Sequence, residues 1–375
     1  MTILRHKRHQ CHQIRLAVIV SVFFSMLWPI LPDTSWAGTS RDKRVTKKLK
    51  KENRKLKRQI RVLRSNIQSL NSQLSEAIDN CSNGRVEIEM VTVGNAGNSA
   101  DSTSYGAVSY QFQIGKYEVT LGQYVAFLNA VATTDTYGLY NPAMATDLNV
   151  AGIQRSGTIG SYEYSAIGNS SRPVTYVSWF DAARFCNWLH NGQPKGLQDL
   201  TTTEDGAYFL NGATSGALAI DRENDAKYFI PSEDEWYKAA YYHPQGVGGP
   251  SGDYWLFPTK SNSAPENTIG PLPLTNQANI KTAGGVHSVT QSASFSSTQN
   301  YLTNVGSYGG SPSFYGTFDQ AGNALEWNEA VVATDKRGIR GSCWNNDEED
   351  ARSTFRWRGV PEDESDTVGF RVGSP

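Results

Sequence analysis

The sequence contains few of the residues that build metal and redox centres. Only 4 Cys and 6 His occur among 375 residues, and three of the histidines (His6, His9 and His12) precede the first long apolar run. The motifs HExxH, CxxC, GxxxxGKS and GxxxxGKT are absent, which excludes zincins, zinc ribbons and P-loop NTPases. In contrast, 9 Trp, 18 Tyr and 14 Phe can build a sizeable core, so global disorder is excluded.

The net charge of −1 conceals two oppositely charged parts. Residues 41–64 carry 13 Lys or Arg against 2 acids, a net charge of +11. Residues 85–375 carry 18 Lys or Arg against 31 acids, a net charge of −13. A basic arm joined to an acidic body indicates two separate structural units.

The first 37 residues have the pattern of a secretory signal peptide. Four basic side chains precede an uncharged apolar run at residues 16–31, and Ser35 and Ala37 place small residues at the −3 and −1 positions of a cleavage site. The run is shorter than the roughly 20 residues that span a bilayer as a helix. We therefore expect export after cleavage near Ala37; the alternative is an uncleaved membrane anchor.

Residues 41–80, here called the stalk, carry a heptad repeat. One seam has Leu at positions 49, 56, 63 and 70, and the other has Asn, Ile, Ile and Leu at positions 53, 60, 67 and 74. This combination favours a parallel two-stranded coiled coil and hence a dimer. Cys81 takes the next position of the second seam, where it predicts an interchain disulfide. The alternative is a single solvated helix.

The positive charge of the stalk indicates that it is balanced by an anionic partner or by counter-ions. Export argues against nucleic acid. Outside the cytoplasm, the stalk can bind anionic surface polymers or membrane head groups, and such binding weakens with salt. The alternative is a solvated spacer whose charge is balanced by counter-ions.

Beyond the stalk, three helices are predicted, each beginning at a capping residue. Thr120, Ser178 and Ser232 are each followed three residues later by Gln, Asp or Glu, which is the spacing of a capping box. Elsewhere the pattern indicates short strands and two long loops, at 133–172 and 245–313. Loops of this length in a compact domain are functional, or are ordered by something other than regular structure.

Six segments of this second part occur in a recognisable order. They are IGKYEVTLGQYVAFLNA at 114–130, RPVTYVSWFDAARFCNWL at 172–189, FIPSEDEWYKAA at 229–240, YGTFDQAGNALEW at 315–327, RGSCWNN at 340–346 and VGFRV at 368–372. The order resembles the formylglycine-generating enzyme (sulfatase-modifying factor) family. The resemblance implies an α+β, C-type-lectin-like domain with little regular secondary structure at residues 81–375.

The resemblance also implies structural calcium. One site is carried over onto Asp319, Gly322, Ala324 and Glu326, which offer two carboxylates and two backbone carbonyls. Oxygen ligands of this kind suit a hard cation such as calcium. A second site begins at Asn279 and Ile280, without matching ligands downstream. The alternative for the first site is a tight turn that Glu326 caps.

Family members hold copper(I) between two thiolates and use O2 to convert a substrate cysteine into an aldehyde. The resemblance places these thiolates at Asn346 and Ala351, and neither side chain has the sulfur that copper(I) selects. We therefore expect no copper site. Cys343 lies nearby as either an inert buried thiol or a reactive nucleophile. Cys186 matches a family cysteine whose partner position reads Val372, so it is either free or bridged to Cys343.

These observations favour a binding module over an oxidase. The expected ligand is a protein or glycan held in a groove by four aromatic or amide side chains, Trp344, Asn345, Asn346 and Trp357. The alternatives are an oxidase that acts on sulfatase cysteines, and another redox or accessory enzyme on the same scaffold, because one fold hosts many functions.

Overall fold

A computed structural model of the chain describes residues 85–216, 219–269 and 274–375, together with positions 51, 52, 55 and 59. The chain divides into two compact units, Met1–Arg85 and Val86–Pro375; the second is called the head below. In the first unit, positions 51, 52, 55 and 59 are helical, and Arg85 lies outside regular structure. The predicted signal peptide, Cys81 and the rest of the stalk lie outside the described residues. No helix in the described part of the chain has the length and apolar composition to span a membrane.

Four α-helices lie in the described part of the head. They are α1 (Leu121–Val131), α2 (Ala143–Thr146), α3 (Trp179–His190) and α4 (Glu233–Tyr241). The predicted starts of α1, α3 and α4 are confirmed: at each, the Ser or Thr side chain accepts from the third helical N–H, and the side chain of that third residue accepts from the cap N–H.

The strands are short and form three small sheets. They are β1 (Met90–Val93), β2 (Phe112–Gly115), β3 (Ile153–Ser156), β4 (Glu163–Ala166), β5 (Leu325–Ala333), β6 (Lys336–Arg340), β7 (Trp357–Gly359), β8 (Val368–Gly369) and β9 (Gly373–Ser374). The sheet orders are β1-β2-β9, β3-β4 and β7-β6-β5-β8. All pairs are antiparallel except β5 with β8. The expected mixed α/β architecture with little regular secondary structure is confirmed.

The main core lies between α1 and α3 and is built from aromatic rings. Phe127 and Phe185 meet edge to face with centroids 5.4 Å apart, and Phe185 meets Phe370 in the same way at 5.4 Å. Edge-to-face pairs of this kind add about 0.5–1.5 kcal/mol beyond the area they bury. The core therefore ties the C-terminal segment that carries Phe370 to both helices.

A partly buried amide side chain connects the long loops. The Nδ2 group of Asn149 donates to the carbonyls of Ser296 and Gln299 over 2.8 and 2.9 Å. This amide joins the two long loops to each other, because Asn149 belongs to 133–172 and its partners to 245–313. Backbone carbonyls that have no strand partner are satisfied in this way.

Candidate functional site

The first candidate site is the segment that follows β6, residues 341–356, here called the thiol loop. Its cysteine, Cys343, is 1% exposed, and its Sγ donates a hydrogen bond to Oδ1 of Asn346 over 2.9 Å. The carbonyl of Asn346 in turn accepts from the backbone N–H of Lys281 over 2.8 Å. The loop is thus held by its own side chains and by the segment 245–313.

Both described thiols are buried and protonated near neutral pH. Burial raises the pKa of Cys343 to about 12, and Asp366 and Asp350 add to this rise, against backbone N–H groups that lower it. Burial likewise raises the pKa of Cys186 well above its ordinary value. Both are free thiols, so the alternative bridge between them is not formed. Since the thiolate is both nucleophile and metal ligand, the inert interpretation of Cys343 is the one that the structure supports.

The two positions assigned to copper ligands lie in different surroundings. Asn346 is partly exposed, whereas Ala351 is fully buried. Ala351 packs in a small apolar cluster whose other buried members are Phe257, Ala278, Ile280 and Ala321. Among the described residues, no group of three or more His, Cys, Asp or Glu side chains is placed to hold a metal ion.

The expectation that Trp344 lines a binding groove is corrected. Its ring is 2% exposed and stacks on Tyr301 with centroids 5.0 Å apart, while Phe295 stacks on the same Tyr301 at 5.6 Å. Phe295 is 56% exposed and is therefore the ring of this set that reaches solvent. An aromatic residue after a strand can point either way, and the local pattern could not show that Trp344 points inward. Sequence reasoning missed Phe295.

The other predicted groove residues are accessible. Asn345 is exposed and Asn346 partly exposed. Trp357, on the edge strand β7, is 37% exposed and contacts Phe355 with centroids 5.3 Å apart. These three side chains can contact a partner without rearrangement of the core.

A second polar cluster lies buried around β5. Both carboxylate oxygens of Glu326 accept from the guanidinium of Arg371, over 2.5 and 2.7 Å, and one also accepts from Nε1 of Trp236 over 2.7 Å. Glu326 and Arg371 are fully buried. Bidentate, charge-assisted bonds of this kind fix both side chains. The pair fastens β5 to the C-terminal segment.

Asn323 is the hub that connects this cluster to the long loops, and sequence reasoning did not identify it as such. Its Oδ1 accepts from Nδ2 of Asn279 over 2.9 Å and from the backbone N–H of Thr303 over 3.0 Å. Its Nδ2 donates to Oε2 of Glu118 over 3.0 Å. Asn323 is fully buried with φ of 67°, a left-handed conformation that asparagine tolerates better than most residues.

Glu118 brings a further carboxyl group into the same region. Burial raises its pKa well above the ordinary value, and the charges of Asp319 and Glu326 add to the rise, while Arg371 lowers it. Burial also raises the pKa of Asp319 to about 6. Burial thus favours the protonated form of Glu118, and the guanidinium of Arg371 is bound to Glu326.

Comparison with known proteins identifies the fold family. A family profile described as the sulfatase-modifying factor enzyme 1-like domain matches residues 85–374. The chain belongs to this family. Inactive C-alpha-formylglycine-generating enzyme 2 of Mus musculus is 24% identical over 213 residues, which cover 54% of this chain and 49% of that protein. The chain thus spans about half the length of the curated relative it matches.

The chain also shows similarity to solved structures. CarF is 21% identical with a TM-score of 0.45, covering 77% of this chain and 98% of its own. The Treponema denticola variable protein 1 is 18% identical with a TM-score of 0.44, and the match covers 78% of this chain and 96% of that protein. PvdO from Pseudomonas aeruginosa is 18% identical with a TM-score of 0.39, and the match covers 77% of this chain and 92% of that protein.

The donor set of this family member does not fit the copper(I) ion that the resemblance implies. The two expected positions offer the amide of Asn346 and the methyl group of Ala351, and the thiol beside them is protonated. Copper(I) selects thiolate or thioether sulfur. No oxidation step is therefore assigned to these residues.

Calcium fits the first predicted site in donor type. Asp319 supplies a carboxylate, and Gly322 and Ala324 supply backbone carbonyls, which are oxygen donors of the kind that calcium prefers. Glu326 fits less well, because Arg371 already engages both of its oxygens.

At the second predicted calcium site, both backbone carbonyls are already acceptors. That of Asn279 accepts from the N–H of Asn323 over 2.9 Å, and that of Ile280 from Nδ2 of Asn267 over 3.1 Å. The side chain of Ile280 packs in the apolar cluster with Ala351. The two predicted sites are therefore neighbours, joined through Asn323.

Proposed function

We propose that the head binds a protein or glycan partner and does not oxidise cysteine. The observation that carries the proposal is the state of its two described thiols: Cys186 and Cys343 are unpaired, buried and protonated near neutral pH. The family reaction uses two thiolates on one metal ion. A fold of this family can hold a partner while lacking that chemistry, since function resides in the site rather than in the fold.

Solvent-exposed aromatic and amide groups support the binding role. Trp357 and Phe295 expose apolar rings, and Asn345 and Asn346 expose amide groups that can both donate and accept hydrogen bonds. Ligand sites combine apolar contact area with a few polar groups that fix orientation. This combination suits a glycan ring or a peptide side chain.

The remaining parts of the proposal rest on the sequence pattern. Residues 1–37 direct export, and the stalk at 41–80 forms a parallel dimer that Cys81 links by an interchain disulfide. The basic charge of the stalk attracts anionic surface polymers. Calcium bound at Asp319 and the neighbouring carbonyls of Gly322 and Ala324 stabilises the head.

The oxidase alternative is tested with a cysteine peptide. The mature chain is supplied with copper(I) and O2 and incubated with a cysteine-containing peptide from a sulfatase, and any aldehyde is trapped with an aminooxy probe. An active formylglycine-generating enzyme serves as positive control. We expect the peptide thiol to remain unchanged; an aldehyde on the peptide would contradict the proposal.

The binding half of the proposal is tested on glycan and peptide arrays probed with the mature chain. We expect Trp357→Ala to weaken the signals that wild type gives. Phe209→Ala removes another exposed ring, 53% accessible in the head, and should leave these signals unchanged. An array without any wild-type signal, or equal losses in both variants, would count against the surface that contains Trp357.

A further inference from the structure

Two partly exposed side chains of the head, His243 and Trp255, form a hydrogen bond that only the neutral histidine permits. Nδ1 of His243 accepts from Nε1 of Trp255 over 3.1 Å, and Nε2 of His243 lies 3.2 Å from the carbonyl oxygen of Val247. An indole N–H can only donate, and a carbonyl oxygen can only accept. Nδ1 therefore carries no proton and Nε2 carries one, so the imidazole is neutral in this arrangement.

The backbone on both sides of this bond is fixed, because the two residues face each other across the base of a hairpin at 241–255. The N–H of His243 donates to the carbonyl of Asp253 over 2.7 Å, and the N–H of Trp255 donates to that of Tyr241 over 3.0 Å. The imidazole also stacks on Phe314, with ring centroids 4.1 Å apart. A change at Nδ1 therefore acts on the side chain of Trp255 and leaves the base of the hairpin in place.

A second proton on the imidazole removes the acceptor that the indole uses. Histidine is the side chain whose charge ordinarily changes between about pH 5 and pH 8. An imidazolium donates at both nitrogens, so a protonated Nδ1 would set one N–H against the N–H of Trp255. The bond from Nε2 to Val247 and the stack on Phe314 are compatible with the charged ring. Protonation thus breaks the bond to Trp255 and spares the other two contacts.

The charged side chains of the elements around His243 are engaged elsewhere. The carboxylate of Asp253, in the same hairpin, accepts from the backbone N–H of Gln245. The ammonium of Lys238, on α4, donates to the carbonyl of Asn95 over 2.9 Å, and burial lowers its pKa to about 8. The other titratable groups here are three tyrosines whose pKa burial raises: Tyr242, Tyr254 and Tyr315. Trp255 is therefore the group that competes with a proton for Nδ1.

We propose that His243 is a proton-operated latch on the side chain of Trp255. At about pH 8 the neutral imidazole holds the indole, and at about pH 5 the imidazolium releases it, so that the head presents an aromatic ring and an indole N–H to solvent. The next residue, Leu256, accepts at its carbonyl from the N–H of Ser353 in the thiol loop over 2.8 Å. The latch therefore adds a pH-dependent aromatic group beside that loop, and it does not depend on the proposed function.

The test follows the indole N–H of Trp255 by heteronuclear NMR in the mature full chain, with the signal assigned from its loss in Trp255→Phe. We expect this signal to shift as the pH falls from about 8 to about 5, with the same midpoint as the ring protons of His243. Acrylamide quenching of Trp255, taken as the difference between wild type and Trp255→Phe, should rise at least about twofold over this range. A signal or a quenching constant that does not change with pH, or two different midpoints, would overturn the proposal.

Substitutions then separate the charge from the bond. His243→Gln keeps an acceptor for the indole and a donor for Val247 but gains no proton, so the signal of Trp255 should stay constant with pH. His243→Phe keeps an aromatic ring but no acceptor, so the indole should resemble the acid form of wild type at every pH. His190→Gln removes a histidine at the end of α3 and should preserve the wild-type transition. A transition that persists in His243→Gln, or that disappears in His190→Gln, would overturn the latch.

Discussion

Replacing Asn323 by alanine should destabilise the head severely. The change removes the bonds that satisfy the N–H of Thr303 and one carboxylate oxygen of Glu118, both buried. Each buried polar group left without a partner costs about 1–3 kcal/mol. The left-handed backbone at φ 67° adds about 1–2 kcal/mol once asparagine is gone. The expected loss is therefore about 3–8 kcal/mol, a large share of the roughly 5–15 kcal/mol by which domains are stable.

Asn211→Ala is the matched control for this prediction. Asn211 also has positive φ, at 45°, but its side chain is exposed and makes no hydrogen bond within the described residues. Asn211→Ala should lose only the backbone contribution, about 1–2 kcal/mol. All tryptophans after residue 37 belong to the head, so denaturant unfolding of the mature chain followed by tryptophan fluorescence reports on the head. If Asn323→Ala loses no more than Asn211→Ala, Asn323 is not a hub.

Four further outcomes are expected. Burial, together with the charge of Asp181, raises the pKa of Glu364 to about 7. Because the folded head binds this proton more tightly than the unfolded chain does, the free energy of unfolding falls as the pH rises toward that value. The free energy of unfolding of Glu364→Gln, measured with denaturant, should therefore rise by about 1–2 kcal/mol relative to that of wild type when the pH is raised from about 5 to about 8. A difference between variant and wild type that does not change with pH would contradict this. Removing calcium with a chelator should lower the melting midpoint, whereas an unchanged midpoint would exclude calcium at Asp319. In the folded chain, Cys343 should resist thiol reagents that label it after unfolding, and rapid labelling of the folded chain would contradict this. Non-reducing electrophoresis should show a dimer that Cys81→Ser abolishes, and a monomeric wild type would contradict the interchain disulfide.

Local sequence signals predicted the helices well. The capping residues Thr120, Ser178 and Ser232 fix helix starts through contacts only three residues long, and all three starts are confirmed. In α1, Tyr124 and Phe127 stand at the three-residue spacing of one helix face, and both are fully buried. Short-range contacts leave a short-range pattern in the sequence.

The polar interior could not be predicted in the same way. Asn323 and Glu118 are 205 residues apart in sequence, and the carbonyl of Gly115 lies 256 residues from its donor Arg371. No local periodicity encodes such pairs, so the hub and the ion pair between Glu326 and Arg371 became visible only in the folded chain. The family resemblance singled out Glu326 as a calcium ligand but gave no sign of its pairing with Arg371.

The sequence also did not show whether the side chains that follow a strand point into the core or toward solvent. Cys343 and Trp344 follow β6, where the next residues can turn into the core or out of it. Both turn inward and are at most 2% exposed, while Asn345 turns outward. The sequence supplied the residue types of the thiol loop, and the fold determined which of them a partner can reach.

The head lacks the sulfur ligands of its family's copper site at positions 346 and 351. A copper(I) titration of the mature chain under anaerobic conditions, against a chromogenic chelator of known affinity, measures whether any other group replaces them. We expect the chelator to keep the metal and Cys343→Ser to give the same curve as wild type. Tight uptake of one copper(I) per chain that Cys343→Ser abolishes would contradict it.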